Sequence, residues 1–383
     1  MKLVINFITL LFFLSCEPWV ETFEDDSDLE AVMFEAIEIN DSLAYDGGSV
    51  RVLTWNIRVG LGRFPWIYDS CGDSVIREKS PVEKTLMEIA EKLNNIDPDI
   101  VLLQEVDFLS KRSGYINQIQ FLLDNTNLNY GAYASMYKTQ FAPSDGLGMV
   151  DGGNVILSKY RLEDAERIPL ALRTDQSSVV QYFYLRRNIL KAKIPDLTQG
   201  GKDFYAVNIH ATAFATDDTK QKHIDKYFEV LDEINNAGDL FVSGGDLNSV
   251  PPGAGYDFCL LDDCDTKVDS LGVLSNQNYH TDQDGGPHLS GSYFNNFPGE
   301  PDLLKPLYDN ESFSGAIDIS DPTDTTKFTH AQSTSYERGL GIVDRKLDYL
   351  FTNGSWSSSV THQGAWELSD HIAVSSYFNY ESE

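Results

Sequence analysis

Four apolar runs of this chain each end on polar residues whose side chains could take part in chemistry. The residues at these ends are Asn56, Glu105, His210 and, after the fourth run, Asp246 with Asn248. Amides, carboxylates and imidazoles bind cations, move protons and hydrogen-bond to anions. One polar residue at a strand end commonly just faces water. Four such ends together indicate that the strands bring these side chains to a single polar pocket, since strand ends hold side chains more rigidly than loops do.

Two further groups lie in the C-terminal quarter. Asp348 interrupts an apolar run, and an acid inside a buried strand costs free energy unless it is paired or bound to a metal. The adjacent residues Asp370 and His371 precede another apolar run, and a carboxylate can fix the orientation of a neighbouring imidazole. Such a dipeptide also occurs at exposed turns, so it is a weak signal alone. The remaining histidines, which we interpret as surface or structural residues, are His223, His280, His288, His330 and His362.

Several other catalytic and metal-binding patterns are absent from the sequence. It has no Gly-x-Ser-x-Gly elbow, no phosphate-binding Gly-x-x-x-x-Gly-Lys-Ser/Thr loop and no His-Glu-x-x-His helix motif. Cys259 and Cys264 are too far apart for a Cys-x-x-Cys zinc pair. They could form a disulfide in an oxidising compartment, which would leave Cys71 unpaired.

The composition sets limits on the class of protein. The chain has 383 residues, of which 42% are hydrophobic and 23% charged, as in a globular protein. Its 59 acidic residues outnumber 29 Lys and Arg, for a formal net charge of -30. That charge excludes nonspecific coating of a polyanion, because long-range repulsion opposes it. It leaves open an enzyme that meets phosphates through a metal ion.

The N-terminal segment predicts export. Lys2 precedes an apolar stretch over residues 3–14, which is too short to span a bilayer and fits a signal peptide. The residues before Cys16 resemble a bacterial lipoprotein cleavage box. We therefore expect residues 1–16 to be a signal segment and the product to be tethered to the membrane through lipid on Cys16, at a bacterial cell envelope or surface. The alternative is an ordinary secretory signal and a secreted product.

An acidic stretch follows, and then the folded body. Residues 17–48 are rich in Glu and Asp and contain no Lys or Arg, so we interpret them as a solvated tether. Within this stretch, residues 31–39 fit either a short helix or an edge strand. The body is expected to begin near Ser49 and to occupy residues 49–380, as a monomer.

The body alternates short apolar runs with amphipathic stretches. Helical spacing covers residues 81–96 and 217–236. Runs rich in branched and aromatic residues predict strands at 51–57, 99–106, 131–137, 154–159, 182–194, 203–210, 240–245, 346–352 and 373–378. Many strands with few helices indicate two packed sheets covered by helices. Residues 251–325 are rich in Gly, Asp, Asn and Pro and predict a loop-rich insertion.

Six short motifs in this order resemble the endonuclease/exonuclease/phosphatase superfamily, which has the DNase-I-like fold. The motifs are Thr-Trp-Asn-Ile at 54–57, Leu-Gln-Glu-Val at 103–106, Asn-Ile-His at 208–210, Gly-Gly-Asp-Leu-Asn at 244–248, Leu-Asp-Tyr at 347–349 and Ser-Asp-His at 369–371. A Gly-Asn-Val-Ile-Leu-Ser stretch at 153–158 also resembles the family. The resemblance runs from about residue 50 to 379. It implies an α/β fold, a four-layer α/β/β/α sandwich with the site at one end of the two sheets.

The resemblance also implies a metal-dependent phosphoesterase. Mg²⁺, with Mn²⁺ as a substitute, would be held by Glu105 with Asn56 beside it. Asp246 would orient or deprotonate the attacking water, and Asn248 would hold that water or a phosphate oxygen.

The other site residues that the resemblance implies would contact the phosphate or support those that do. His210 and His371 would donate hydrogen bonds to the phosphoryl oxygens, with Asp370 orienting His371. Asp370 or Asp348 could also assist in holding the metal, and the sequence leaves open which Asp or His moves the proton. Arg187 and Asn154 are candidates for substrate contact, although Arg187 could equally be a solvated strand residue.

The substrate class stays open at this level. The family includes nucleases, sphingomyelin-type lipid phosphodiesterases and phosphatases of inositol or sugar phosphates. No Lys/Arg cluster that would grip a polynucleotide is visible, which disfavours a nuclease without excluding it. A non-catalytic surface lipoprotein on the same scaffold is the rival class, but such a protein is expected to have lost part of the Asp and His set, which is complete here.

Overall fold

The computed structural model describes residues 19–24, 30–40, 45, 47–68, 73–213, 215–254, 302–331 and 343–380. The signal segment, the four cysteines and most of the region 251–325 lie outside the described residues, so the predictions about them remain predictions. In the described part of the chain, no helix is both long and apolar enough to cross a membrane.

Two large sheets form the centre of the molecule. The strands are β1 (Val32–Glu35), β2 (Val50–Asn56), β3 (Ile100–Asp107), β4 (Tyr130–Ala142), β5 (Gly146–Ser158), β6 (Glu163–Pro169), β7 (Asn188–Lys193), β8 (Phe204–His210), β9 (Leu240–Asp246), β10 (Ser314–Gly315), β11 (His330–Ala331), β12 (Val343–Arg345), β13 (Asp348–Thr352), β14 (Ser355–Thr361) and β15 (Val374–Asn379). Among the described residues, the first sheet has the order β1-β4-β5-β3-β2-β15-β14 and the second β10-β13-β9-β8-β7-β6, while β11 and β12 form a separate pair.

Helices cover the outer faces of both sheets. They are α1 (Lys79–Ile96), α2 (Gln118–Asn125), α3 (Ser178–Tyr182), α4 (Thr219–Asn236) and α5 (Lys305–Asp309). The buried stripe of α1, including Leu86, Ile89 and Leu93, packs with Leu53 and Leu103 of the first sheet. On the second sheet, α4 buries its own apolar stripe against β8 and β9. These layers confirm the predicted α/β/β/α sandwich.

The core between the sheets is set by the two-residue period of the strands. Val52, Ile100 and Leu102 from the first sheet pack with Ala206 and Val242 from the second. The residues between them in sequence, such as Leu53 and Leu103, face the helices instead. Both faces of the central strands are therefore buried, which explains why these strands read as continuous apolar runs rather than as alternating ones.

The acidic N-terminal stretch contributes to the folded body. Val32–Glu35 forms β1 and pairs antiparallel with Tyr130–Tyr133 of β4, which decides for the edge strand over the helix. Val20 bridges to Thr139 and is fully buried. The body therefore includes residues that precede Ser49, because Val20 and Ala36 of this stretch are buried in the apolar clusters of the body.

Some predicted boundaries differ from the structure. The predicted strand 182–194 begins only at Asn188, because Ser178–Tyr182 is a short helix and Arg186 donates to the carbonyls of Gln181 and Tyr184 to hold the turn that follows. β6, β14 and α2 were not predicted from the sequence. β14 is exposed along most of its length, so it lacks the apolar signal of the central strands.

Candidate active site

Two parallel strand pairs bring the polar strand ends to one edge of the sandwich. In the first sheet β2 runs parallel to β3, and Asn56 pairs with Gln104. In the second sheet β8 runs parallel to β9, and His210 pairs with Asp246. Parallel neighbours end at the same edge, so the C-terminal ends of all four strands meet there. Beneath this edge a buried hydrogen bond of 2.7 Å from Gln104 Nε2 to Asn208 Oδ1 ties the two sheets together.

Asn56 joins the two sheets at the site itself. Its Nδ2 lies 3.3 Å from Oε1 of Glu105 and 3.2 Å from Oδ2 of Asp246. Its Oδ1 accepts a hydrogen bond of 3.0 Å from the backbone N–H of Arg58, which fixes the orientation of the amide. Glu105 and Asp246, which are far apart in the sequence, therefore lie within reach of one ligand.

Asp246 is the most heavily hydrogen-bonded acid of the cluster. Its Oδ1 accepts from the backbone N–H of Asn248 at 2.9 Å, and its Oδ2 accepts from the Asn248 side chain at 3.1 Å. The same Oδ2 lies 3.3 Å from Nε2 of His210 and 3.6 Å from Nε2 of His371. Burial alone would raise the pKa of Asp246, but His371 and His210 hold that pKa well below its usual value. Asp246 is therefore a carboxylate at neutral pH.

His371 lies between two carboxylates. Its Nδ1 is 2.9 Å from Oδ2 of Asp348, and its Nε2 faces Asp246. Although burial opposes the charge, Asp348 and Asp246 raise the pKa of His371 well above its usual value. The ring is therefore an imidazolium at neutral pH. Burial raises the pKa of Asp348, whose second carboxylate oxygen has no hydrogen-bond partner among the described residues.

The expected role of Asp370 in orienting His371 is wrong. The carboxylate on Nδ1 of His371 belongs to Asp348, whereas Asp370 lies 3.5 Å from Nε of Arg58 and accepts from Ser369 Oγ at 3.2 Å. Burial opposes a low pKa for Asp370, but His371 and Arg58 lower it.

His210 and Arg187 act together behind Asp246. Nη1 of Arg187 donates to the carbonyl of His210 at 3.2 Å, and both side chains are buried. Burial first and then the Arg187 charge lower the pKa of His210, so its ring is neutral at neutral pH. A neutral ring that donates from Nε2 to Asp246 supports that carboxylate. The arrangement places Arg187 on the backbone of His210 rather than in solvent.

Asn154 lies apart from this cluster. Its Nδ2 donates to the backbone and side-chain oxygens of Asn188 at 2.9 and 3.1 Å, and the residue is fully buried between the sheets. In the structure this contact serves the packing of β5 against β7. Of the residues predicted for the site, Asn154 is the one that the described contacts do not link to it.

Backbone strain is concentrated beside the site. Glu105 and Asn248 have φ values of 52° and 47°, and the consecutive residues Arg58 and Val59 have 49° and 46°. Left-handed backbone is costly for residues other than Gly, most of all for a β-branched one, and such strain clusters at functional sites. At Glu105 it accompanies a bulge in the pairing of β3 with β5, which turns this side chain out of the regular strand alternation.

Gln118, which was not predicted from the sequence, connects the two strained segments. Its Oε1 accepts from the backbone N–H of Asp107 at 3.0 Å, and its Nε2 donates to the carbonyl of Val59 at 2.7 Å. The residue is fully buried at the start of α2. It thus fixes the backbone that follows Asn56 to the backbone that follows Glu105. No sequence motif marks it, because its role depends on a contact between two loops.

Comparisons with known proteins identify the family of this chain. Residues 53–371 match the model of the Endonuclease/Exonuclease/phosphatase family. This chain belongs to that family. A solved endonuclease/exonuclease/phosphatase from Beutenbergia cavernae has 15% sequence identity and a TM-score of 0.53, covering 88% of this chain and 72% of that one. A family protein from Leptotrichia buccalis has 14% identity and a TM-score of 0.50, covering 86% of this chain and 100% of that one. No curated protein matches the sequence.

Members of the endonuclease/exonuclease/phosphatase family are typically metal-dependent phosphoester hydrolases, and this chain has donors that could hold an ion. Ligand atoms of Asp246, Asp348 and His371 lie within 4.8 Å of one another. Both nitrogens of His371 already face carboxylates, however, so this group is better described as an ion-paired network. Glu105 is more available to an ion, because its side chain is 28% exposed. Among the described residues its carboxylate contacts only Nδ2 of Asn56 and Nε2 of His210.

Proposed function

We propose that this family member is an exported, Mg²⁺-dependent phosphoesterase that hydrolyses phosphate esters with water, and that its substrates are phosphodiesters of the nuclease type. The observation that carries the proposal is the bridge of Asn56 between Glu105 and Asp246. It places a partly exposed carboxylate and a buried, ionised carboxylate on the same amide nitrogen, close enough for both to reach one phosphate at this edge.

Glu105 is the proposed ligand of the ion. Mg²⁺ prefers oxygen ligands and keeps several waters, so one carboxylate with substrate oxygens is a sufficient donor set. When bound, Mg²⁺ neutralises phosphate charge and acts as a Lewis acid on the phosphoryl oxygen. Asn56 presents its amide nitrogen to Glu105 and therefore orients that carboxylate. Direct coordination through Asn56 would require its Oδ1 to accept a second partner besides the Arg58 backbone.

The acids and the imidazolium of the cluster supply the remaining functions. Asp246 is ionised and fixed by several hydrogen bonds. It is placed to accept a hydrogen bond from the attacking water, which directs a lone pair of the water oxygen at phosphorus. Asn248 fixes both oxygens of Asp246. His371 carries a positive charge and faces the same space, so it would donate to a phosphoryl oxygen where negative charge develops. Asp348 maintains that charge from the far side of the ring.

A lipid phosphodiester is the second candidate substrate, and exposed apolar residues favour it. Tyr68 and Leu147 are 62% and 80% exposed. Tyr68 Oη lies 3.1 Å from Ser144 at the turn between β4 and β5, a hairpin that extends past the level of Glu105. Turnover of plasmid DNA, sphingomyelin vesicles and inositol phosphates, each with Mg²⁺, separates the classes. Leu147→Ser should lower the rate on vesicles only, if lipid is the substrate.

The test of the function itself is Glu105→Gln, which keeps the shape and removes the charge that binds the ion. We expect hydrolysis of bis(p-nitrophenyl) phosphate to be abolished in this variant, and in the wild type after EDTA treatment, with the circular dichroism spectrum unchanged. The matched control is Glu88→Gln on the exposed side of α1, which should retain wild-type activity. Undiminished hydrolysis by Glu105→Gln would refute the site. Absence of both turnover and Mg²⁺ binding in the wild type would favour a binding lipoprotein.

We also propose that the protein is exported and anchored through lipid on Cys16. The support is the charged and apolar N-terminal segment followed by Cys16. Cys16→Ser should release the protein from the membrane fraction of the producing bacterium and abolish labelling with a radioactive fatty acid. Membrane association and labelling that persist in this variant would contradict the anchor, and a cleaved, soluble wild type would indicate an ordinary secretory signal.

A further inference from the structure

A second imidazole lies beside His371. Thr329–Ala331 runs antiparallel to Asp370–Ile372, with hydrogen bonds from Ala331 N to Asp370 O and from Ile372 N to Thr329 O at 2.7 and 2.6 Å. His330 and His371 are the residues directly opposite each other in this bridge. Because the hydrogen bonds flank the two residues, they form a non-hydrogen-bonded pair, whose side chains lie closest together and on the same face.

The imidazole rings of His330 and His371 are in contact, as expected for a non-hydrogen-bonded pair. Their centroids are 5.7 Å apart with an interplanar angle of 82°. The side chain of His371 points to Asp246 and to the proposed phosphate space. His330 therefore lies beside His371 at the same edge of the site, although its position in the sequence suggested a surface or structural residue.

His330 has its own carboxylate, in the same arrangement as the pair of His371 with Asp348. Its Nδ1 lies 2.6 Å from Oδ1 of Asp344, which is buried and also hydrogen-bonded to Arg345. Although burial opposes it, Arg345 and His330 lower the pKa of Asp344. Asp344 is therefore an acceptor for the Nδ1–H of His330.

The outer nitrogen of His330 remains available. The side chain is 16% exposed, and its Nε2 has no hydrogen-bond partner within the part of the chain that the structure describes. The Nε2 atom of His330 is partly accessible to solvent, and Asp344 fixes the orientation of the ring. This nitrogen is therefore suited to donate a hydrogen bond to an anion. The charged groups around it are His371, Asp370, Asp344 and Arg345, together with Arg63, whose Nη1 donates to the Ala331 and Ser369 carbonyls.

We propose that His330 is a further phosphate-contacting residue of this site, whose Nε2–H donates a hydrogen bond to an oxygen of the substrate phosphate while Asp344 holds Nδ1. This inference rests on the proposed phosphoesterase function. It assigns a second carboxylate–imidazole pair, His330 with Asp344, next to His371 with Asp348. The two imidazoles would grip the phosphate from adjacent positions, with the Asp246 carboxylate beyond His371.

The decisive variant is His330→Asn. The Asn amide can still donate to Asp344 from the position of Nδ1, but it has no group at the position of Nε2. We expect the affinity for inorganic phosphate, measured by calorimetry, and kcat/KM for bis(p-nitrophenyl) phosphate each to fall by about ten- to one hundred-fold, the range for a lost hydrogen bond to a charged group. The thermal midpoint should stay near that of the wild type. His362→Asn, which alters a histidine bonded to Ser375, is the matched control and should leave both quantities unchanged.

Several outcomes would overturn the proposal. A folded His330→Asn protein that binds phosphate within about twofold of the wild type would refute it, as would a fall in the thermal midpoint with no change in phosphate affinity or kcat/KM. If His330→Asn does not fold, His330→Gln replaces it, because Gln restores a donor near Nε2 and should keep more phosphate affinity than His330→Ala. Equal affinities of these two variants would refute the contact.

The proposed function fails in a different way. If the wild type hydrolyses bis(p-nitrophenyl) phosphate equally well without the ion, or if Glu105→Gln keeps wild-type activity, the proposed mechanism is refuted while the phosphate-binding measurement still decides on His330.

Discussion

Replacing Asp348 with Asn removes the negative charge that faces the buried His371 ring while preserving the shape of the side chain. Asp348 is fully buried, and its Oδ2 lies 2.9 Å from Nδ1 of His371. At that separation a pair of unit charges interacts by roughly 6 kcal/mol with an effective dielectric constant of about 20. A neutral hydrogen bond from the ring to the Asn carbonyl would retain only about 1 kcal/mol of net stabilisation. The substitution therefore destabilises the protonated form of His371 relative to its neutral form.

The direction of the effect on catalysis follows from the pKa of His371. Asp348 and Asp246 raise this pKa well above the usual value against the effect of burial, so Asp348→Asn must lower it. At neutral pH the variant then has less imidazolium to donate to a phosphoryl oxygen. We expect kcat/KM to fall by about one hundred- to ten thousand-fold, the range for loss of a positioned proton donor. Activity should recover in part as the pH is lowered, because the ring is then protonated again.

The free energy of unfolding should depend on pH in the same direction as the activity. A histidine with a raised folded-state pKa contributes stability that is complete below its unfolded value of about 6.5 and is lost as the pH rises through the folded-state pKa. The difference in unfolding free energy between wild type and Asp348→Asn should therefore be largest near pH 6 and shrink in alkaline solution. Urea denaturation at both pH values measures it, with Asp225→Asn on the exposed side of α4 as the matched control.

The assay combines a pH–rate profile on bis(p-nitrophenyl) phosphate with an NMR titration of the His371 ring. Wild-type kcat/KM at neutral pH in Asp348→Asn would refute this account of the site. An unchanged titration of His371 would do so as well, since it would mean that Asp348 does not control the charge on the ring.

Two further predictions concern residues that position the site. Gln118→Leu removes both hydrogen bonds that join the backbones after Asn56 and Glu105, so the affinity for Mg²⁺ measured by calorimetry should fall by about ten- to one hundred-fold; an unchanged affinity would show that the two backbones hold their positions without it. Gly245→Ala should destabilise the fold by about 3 kcal/mol or more in urea denaturation, because the φ of 147° disfavours Ala and its Cβ would lie 1.8 Å from the carbonyl oxygen of Ile209. Wild-type stability of that variant would contradict the close approach of β8 to β9.

The central layers could be predicted from the sequence because both faces of the middle strands are buried. β2, β3, β8 and β9 are buried at nearly every position, and each contains an apolar run that is visible without knowledge of its partners. β6 and β14 lie at the edges of the two sheets and expose many residues, so they carry no comparable signal. β1 was ambiguous for a related reason, since its pairing with β4 decides its conformation and no local propensity does.

The site residues could be predicted as a set, but their pairings could not. The order of polar strand ends identifies Asn56, Glu105 and Asp246, because each follows a recognisable strand. The partner of His371 depends on the register of β13 against β9, which places Asp348 opposite Asp246. Adjacency in sequence suggested Asp370 instead. Proximity along the chain is therefore a poor guide to which side chains form a hydrogen bond.

The first sheet takes its strands from both ends of the chain, and this has a consequence for the protein while it is being made. β15, near the C-terminal end, pairs with β2, near the beginning of the body, and Val374 lies opposite Thr54. Asn56 and Glu105 are synthesised early, whereas Asp348 and His371 emerge last. A nascent or prematurely terminated copy thus lacks the imidazolium and the acid that charges it. The first sheet and the polar cluster can therefore be completed only after β15 has been synthesised.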